Sequence, residues 1–163
     1  MCDKPFTTGI RQARQEDRAS VMAILKETKF FRPEELKVAE EVFDDALSDG
    51  PEGEYQSFVA REAHKTIGWV CFGPTPCTVG TFDIYWLVVD PENQNRGVGT
   101  SLMQYATTLI KNLKGRMAVV DTSGSQRYLS TRHFYEKLGY SRTARIKDFY
   151  AEGDDKIIYV KYL

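Results

Sequence analysis

The stretch TFDIYWLVVDPENQNRGVGTSLMQYATTLIKNLKG, residues 81–115, limits the fold of this chain more than any other. It runs from β-branched and aromatic residues through a polar turn into two glycines. Val98, Leu102, Tyr105, Ala106, Leu109, Ile110 and Leu113 then recur at helical spacing. A strand, a tight turn and an amphipathic helix in succession require a sheet on which helices pack. The spacing predicts a helix over 98–114 that stops at Gly115. The strand is apolar on both faces toward its end, as a central strand is.

The flanking sequence completes the pattern. TGIRQAR (8–14) reads as a short first strand, and Glu16 and Asp17 open a helix whose buried face is Val21, Ile24 and Leu25. Pro33 suits the first turn of a second helix, where its missing N–H has no partner to lose. Leu36, Val38, Ala39, Val42, Phe43, Ala46 and Leu47 supply the apolar side of that helix, which ends near SDGPEG. YQSFVAREA and TIGWVCFG form an antiparallel hairpin turning around His64 and Lys65, followed by the loop PTPCTVG. RMAVVDTS is a buried strand, QRYLSTRHFYEKL a helix up to Gly139, and YSRTARIKDFY and KIIYVKYL two closing strands around AEGDD. The order βααβββαβαββ predicts an α/β fold: one domain over residues 1–163, with a mixed central sheet of about six to seven strands and flanking helices.

Composition removes several function classes. The formal charge of −1 and pI near 6.1 leave no electrostatic footprint for nucleic acid. No apolar run approaches the roughly 20 residues of a membrane span, and MCDKPFTTGIRQARQ lacks the apolar core of a signal peptide. The expected compartment is therefore the cytoplasm. Cys2, Cys71 and Cys77 are odd in number and lack C-x-x-C spacing, which reads as incidental or buried thiols. His64 and His133 form no H-x-x-x-H pattern, so no metal is expected.

The glycine turn has a physical use. A helix start leaves N–H groups unpaired and carries positive potential, so it welcomes an anion, and glycine keeps a Cβ out of the way. Asn95 and Arg96 add a side-chain donor and a positive charge. Leu102 occupies the last position of G-x-G-x-x-G, and no Gly-Lys-Ser or Gly-Lys-Thr occurs, so neither the Rossmann nor the Walker pattern fits. A tight strand-to-helix turn without a ligand accounts for two glycines equally well.

QNRGVG (94–99) resembles the Q/R-x-x-G-x-G/A signature of the GNAT superfamily of acyl-CoA-dependent N-acetyltransferases. It follows WLVVDPE and precedes an amphipathic helix, and HFYEKLGY (133–140) resembles that family's F-Y-x-x-x-G-F element. With the element order, the resemblance covers nearly the whole chain. It implies an enzyme that moves an acetyl group from acetyl-CoA, its co-substrate, to a primary amine by direct attack on the thioester. It implies that Gln94, Asn95, Arg96, Gly97, Val98, Gly99, Thr100 and Ser101 hold the pyrophosphate of coenzyme A. It also implies that the strand carrying Leu87, Val88 and Val89 splays from its parallel neighbour and pairs with the pantetheine arm. The alternative is an acyl-CoA-binding sensor or interaction domain of the same fold without turnover.

By the same resemblance Tyr135 is the acid that protonates or hydrogen-bonds the departing sulfur, although its residue type alone reads as a helix aromatic. Asp83, with apolar neighbours in TFDIYW, falls where family members place a carboxylate base. A carboxylate buried without a partner holds a proton more readily than in water, which suits a base working near neutrality. The opposing reading is a strand-edge aspartate facing solvent or paired with Arg or Lys. A backbone N–H near Val88 is the expected partner of the thioester oxygen. The chain departs from the family's N-x-x-A-x-x-F-Y, with Tyr128 and Thr131 at the Asn and Ala positions.

The acceptor is implied to be a small-molecule or peptide amine, with a homodimer left open. Its expected contacts are Phe30, Phe31 and Glu34 in ETKFFRPEELK and Asp148 and Tyr150 in KDFYAEGDDK, with Glu35 and Phe149 beside them. A helix staple and a hairpin aromatic are the bland alternatives. Residues 34–54 hold nine acidic residues against Lys37 alone, which either steers a cationic amine or marks an exposed helix face.

Overall fold

The computed structural model describes residues 9–163. Its strands are β1 (Ile10–Gln12), β2 (Gln56–Glu62), β3 (Lys65–Pro74), β4 (Thr81–Val89), β5 (Met117–Ser123), β6 (Ser141–Ala151) and β7 (Asp154–Tyr162). The helices are α1 (Arg18–Glu27), α2 (Pro33–Asp49), α3 (Val98–Asn112) and α4 (Leu129–Lys137). The order along the chain is the expected one. The strands form a mixed seven-stranded sheet in the order β1-β2-β3-β4-β5-β7-β6, flanked by the helices. β4 and β5 run parallel, over Thr81–Ile84 and Met117–Val120.

Local chemistry sets the boundaries. Pro33 does sit in the first turn of α2, where the Glu35 carboxylate accepts the Arg32 N–H at 2.7 Å. The antiparallel β2–β3 hairpin forms as anticipated, but its turn is Ala63–His64, one residue earlier than expected, with Lys65 already paired to Glu62.

Contacts group the described residues into two compact units. One comprises the chain up to Gly73 together with Trp86–Thr108; the other comprises Pro74–Tyr85 and Leu109–Leu163. In the first, Val21, Ile24, Leu25, Ala39, Val42 and Phe43 of α1 and α2 pack on Val59, Trp69, Cys71 and Val88 of the strands. Trp69 stacks on Trp86 at 6.1 Å and meets Phe43 edge-on at 5.6 Å, and its indole N–H donates to the Ser57 hydroxyl at 2.8 Å. Asp17, 1% exposed, is a buried charge here. It accepts from Arg11 at 2.7 and 3.1 Å, the Thr66 hydroxyl at 2.7 Å and the Arg14 N–H at 2.9 Å. Burial alone would raise its pKa; these donors outweigh burial and hold the carboxyl below its ordinary value.

In the second unit β5 pairs antiparallel with β7 along its whole length, and β6 pairs with the other edge of β7. Phe82, Ile84, Ala118, Val120, Tyr135, Tyr140, Ile157 and Tyr159 are buried. β6 is exposed along nearly all of its length, and the cations Arg142, Arg145 and Lys147 lie on this edge.

Several expectations are corrected. Val38 (49% exposed) and Leu113 (56%) face solvent, because the apolar stripe of each helix is narrower than its apolar content. Met103, absent from the expected face of α3, is buried. β5 alternates instead of being buried throughout, with Asp121 exposed and ion-paired to Lys156. The end of β4 is not enclosed on both faces: Tyr85 is exposed and Trp86, Leu87 and Val89 half-buried. The first strand spans only Ile10–Gln12; Thr8 and Cys2 lie outside the described residues.

Candidate active site

The turn between β4 and α3 lies within the first unit. Asp90 closes β4, its N–H donating to the Ile67 carbonyl at 2.9 Å and its carboxylate accepting the Glu92 N–H at 3.1 Å. Asn95 (φ 61°) and Gly97 (φ 85°) adopt left-handed backbone, a conformation that explains why position 97 is glycine. The first helical bond of α3 is Ser101 N–H to Gly97 carbonyl at 2.9 Å. The N–H groups of Val98, Gly99 and Thr100 therefore have no carbonyl one turn back. Gly97 offers no side-chain cap, and the first turn of α3 holds no acidic residue to compete for those amides. The loop has the chemistry of an anion cradle made from backbone.

A second glycine, which the sequence pattern did not single out, brings that helix start onto the sheet. A Cβ at Gly68 of β3 would stand 2.9 Å from Leu102 Cδ1 and 3.2 Å from both the Val88 carbonyl and Val98 Cγ1. Its missing side chain lets the first turn of α3 approach β3 and β4. β4 itself continues to Val89, past the end of its pairing with β5 at Ile84–Val120. Leu87, Val88 and Val89 lie on that extension; the Val88 side chain is buried in the first unit's core.

Two ionisable candidates lie in the second unit. Tyr135, in α4, is 6% exposed, with its ring near Phe134 (5.4 Å), Tyr140 (5.9 Å) and Tyr159 (6.0 Å). Burial, aided by Tyr140 and Tyr128, pushes its phenol well above the ordinary value of 10, so it stays protonated. Asp83 is half-buried and accepts the Thr75 hydroxyl at 2.6 Å. The unpartnered carboxylate expected there is thus corrected: the loop after β3 supplies a donor.

A family model described as an acetyltransferase (GNAT) domain matches residues 53–142, more than half of the chain. The chain belongs to the GNAT family of acetyltransferases. It is 29% identical to N-alpha-acetyltransferase 30 of Schizosaccharomyces pombe over 108 residues, 65% of this chain and 71% of the relative. A GNAT-family protein from Desulfovibrio desulfuricans superimposes with a TM-score of 0.91 at 38% identity, covering 96% of this chain and 99% of the other. An aminoglycoside 6'-N-acetyltransferase solved with coenzyme A has a TM-score of 0.75 at 16% identity, covering 94% and 96%, a likeness of fold alone.

As a GNAT protein the chain is an acyltransferase, and two of its expected side-chain contacts have other work in the structure. The Arg96 guanidinium donates to both oxygens of Glu62, at 3.0 and 2.7 Å, and to the side-chain amide oxygen of Asn93. Asp148 (φ 52°) accepts the Gly153 N–H at 2.8 Å, and its own N–H donates to Asp155 at 2.9 Å, so it shapes the β6–β7 turn. Of the aromatic candidates, Phe31 packs edge-on against Trp86 at 5.4 Å in the first unit, where Phe30 is half-buried. Tyr150 meets Phe149 at 5.1 Å in the second unit, and Lys156 lies over the Phe149 ring. Glu34 is exposed in the first turn of α2. Trp86 of β4, the aromatic partner of Phe31, is half-buried against the core of the first unit. Among the described residues no three or more His, Cys, Asp or Glu side chains gather into a metal-holding cluster, and no helix is long and apolar enough to cross a membrane.

Proposed function

We propose that this protein transfers the acetyl group of acetyl-CoA to a primary amine of a small molecule or peptide. The observation that carries the reading is the start of α3: unpaired amides at Val98, Gly99 and Thr100, a glycine at the cap position, no acidic side chain in the turn, and the GNAT signature in that loop. Such a surface fits a pyrophosphate, and the fold accommodates coenzyme A in the aminoglycoside enzyme.

In this reading residues 94–101 hold the pyrophosphate through backbone groups. The free edge of β4 at Leu87–Val89 pairs with the pantetheine arm, and a β4 amide near Val88 donates to the thioester oxygen. The bound co-substrate supplies the activated thioester. Asp83 accepts a proton from the incoming ammonium; as the nitrogen–acyl bond forms and the carbon–sulfur bond breaks, Tyr135, which burial keeps protonated, gives its proton to the departing sulfur and regains one from the acylated nitrogen. Phe30, Phe31 and Glu34 of the first unit are candidate acceptor contacts, and so, taken by themselves, are Asp148 and Tyr150 of the second. Glu34 contributes charge and the aromatic residues apolar contact, while Asp148 acts by shaping its turn.

The test is release of free thiol from acetyl-CoA in the presence of a panel of polyamines, aminoglycosides and peptides with free N-termini. Release above the amine-free background is expected with at least one class. Tight binding of acetyl-CoA with no release from any class would favour a cofactor sensor.

A further inference from the structure

The cradle turn is fastened at both ends to one hairpin. Glu62 is the last residue of β2 and Lys65 the first of β3, and the two are partners across the hairpin turn. From Lys65, the ammonium donates to Asp90 at 2.8 Å, and Asp90 accepts the Asn93 side-chain amide at 3.1 Å. From Glu62, both carboxylate oxygens accept from the Arg96 guanidinium, which also donates to the side-chain amide oxygen of Asn93. A continuous polar path therefore runs Lys65–Asp90–Asn93–Arg96–Glu62 and closes through the hairpin. Asp90 and Asn93 are buried, and the paired Arg96 side chain is 18% exposed against 37% for Glu62.

This arrangement assigns a job to a residue outside the signature loop. We propose that Glu62 is a positioning residue for the coenzyme A site: it holds Arg96 as a brace, so that the turn presents the amides of Val98, Gly99 and Thr100 to the pyrophosphate. The inference rests on reading that turn as the coenzyme A site. The two-point guanidinium–carboxylate geometry fixes direction as well as distance, which a single lysine contact would not. It also reverses the simplest view of Arg96. If its guanidinium were itself the pyrophosphate ligand, Glu62 would compete with the anion, and neutralising Glu62 would strengthen binding. If Glu62 positions the turn, neutralising it weakens binding.

The sign of the change decides the matter. Coenzyme A is titrated calorimetrically into the wild type, Glu62→Gln, and the double reversal Glu62→Arg with Arg96→Glu, with melting temperatures compared alongside. The expected result is an affinity loss of roughly three- to tenfold for Glu62→Gln, and substantial recovery in the double reversal, where the pair is rebuilt with its charges exchanged. A direct-ligand role predicts the opposite for both, because the reversal puts a carboxylate where the cation was. Unchanged or tighter binding by Glu62→Gln overturns the inference, as does a double reversal that melts like the wild type without recovering affinity. If Glu62→Gln does not fold, the double reversal decides alone. Failure of the wild type to bind would instead bring down the functional reading itself.

Discussion

Tyr135 shows how a single residue's surroundings decide what it can do. Burial among Phe134, Tyr140 and Tyr159 keeps its phenol protonated past pH 10, so an assay at any lower pH meets the acid form. Tyr135→Phe is expected to lower kcat by about 10²-fold or more while leaving acetyl-CoA affinity unchanged. Steady-state kinetics beside a binding titration checks this, and unchanged turnover would remove the acid role. Asp83→Asn should lower kcat at pH 7 by about 10²-fold while sparing acetyl-CoA affinity, and unchanged turnover would count against Asp83 as the base. Asp17 makes a different prediction, since its work is structural. Its folded pKa lies below the ordinary 3.8, so its contribution is complete above that value and is withdrawn as pH falls through the folded value. Asp17→Asn should cost about 1–3 kcal/mol at pH 7 by urea unfolding, with the gap to wild type narrowing as pH falls below 3.8 toward the lowered folded value. A gap that stays constant as pH is lowered would contradict the account.

At the scale of elements, the step from β4 through the turn into α3 depends on what lies beneath it. Gly68→Val would push Leu102 and Val98 off the sheet, costing about 1–3 kcal/mol in thermal or chemical unfolding and weakening coenzyme A binding. Wild-type affinity in that variant would show that the approach of α3 to β3 does not set the cradle. Gly68 also marks a limit of reading sequence. QNRGVG and the 3.6-residue period made the turn and the helix legible, because both are local patterns. The requirement at Gly68 comes from the Val88 carbonyl and the Val98 and Leu102 side chains, some 20 to 34 positions along the chain, and the grip of Glu62 on Arg96 is equally distant in sequence. No local pattern encodes either. The same holds for Asp83, whose partner Thr75 sits in a loop with no period, and for Asp148, whose left-handed backbone and turn hydrogen bonds no local pattern announces.

For the whole molecule, element order and sheet composition followed from alternation, breakers and helical spacing, and the seven-stranded mixed sheet agrees with them. The exposed faces did not follow so well. Val38, Leu113 and the outer half of β4 are apolar without being enclosed, since composition sets how much apolar surface exists and packing sets where it goes. The acceptor is the least legible part, because its candidates lie in segments whose side chains also serve as caps, turns and core edges. The central claim, that the backbone at the start of α3 holds coenzyme A, is tested most directly by calorimetric titration of acetyl-CoA into the wild type and Gly99→Glu. The account predicts saturable binding of one acetyl-CoA per chain by the wild type and none by the variant, whose carboxylate would occupy the cradle. A wild type silent at millimolar ligand, or a variant that binds equally well, would contradict it.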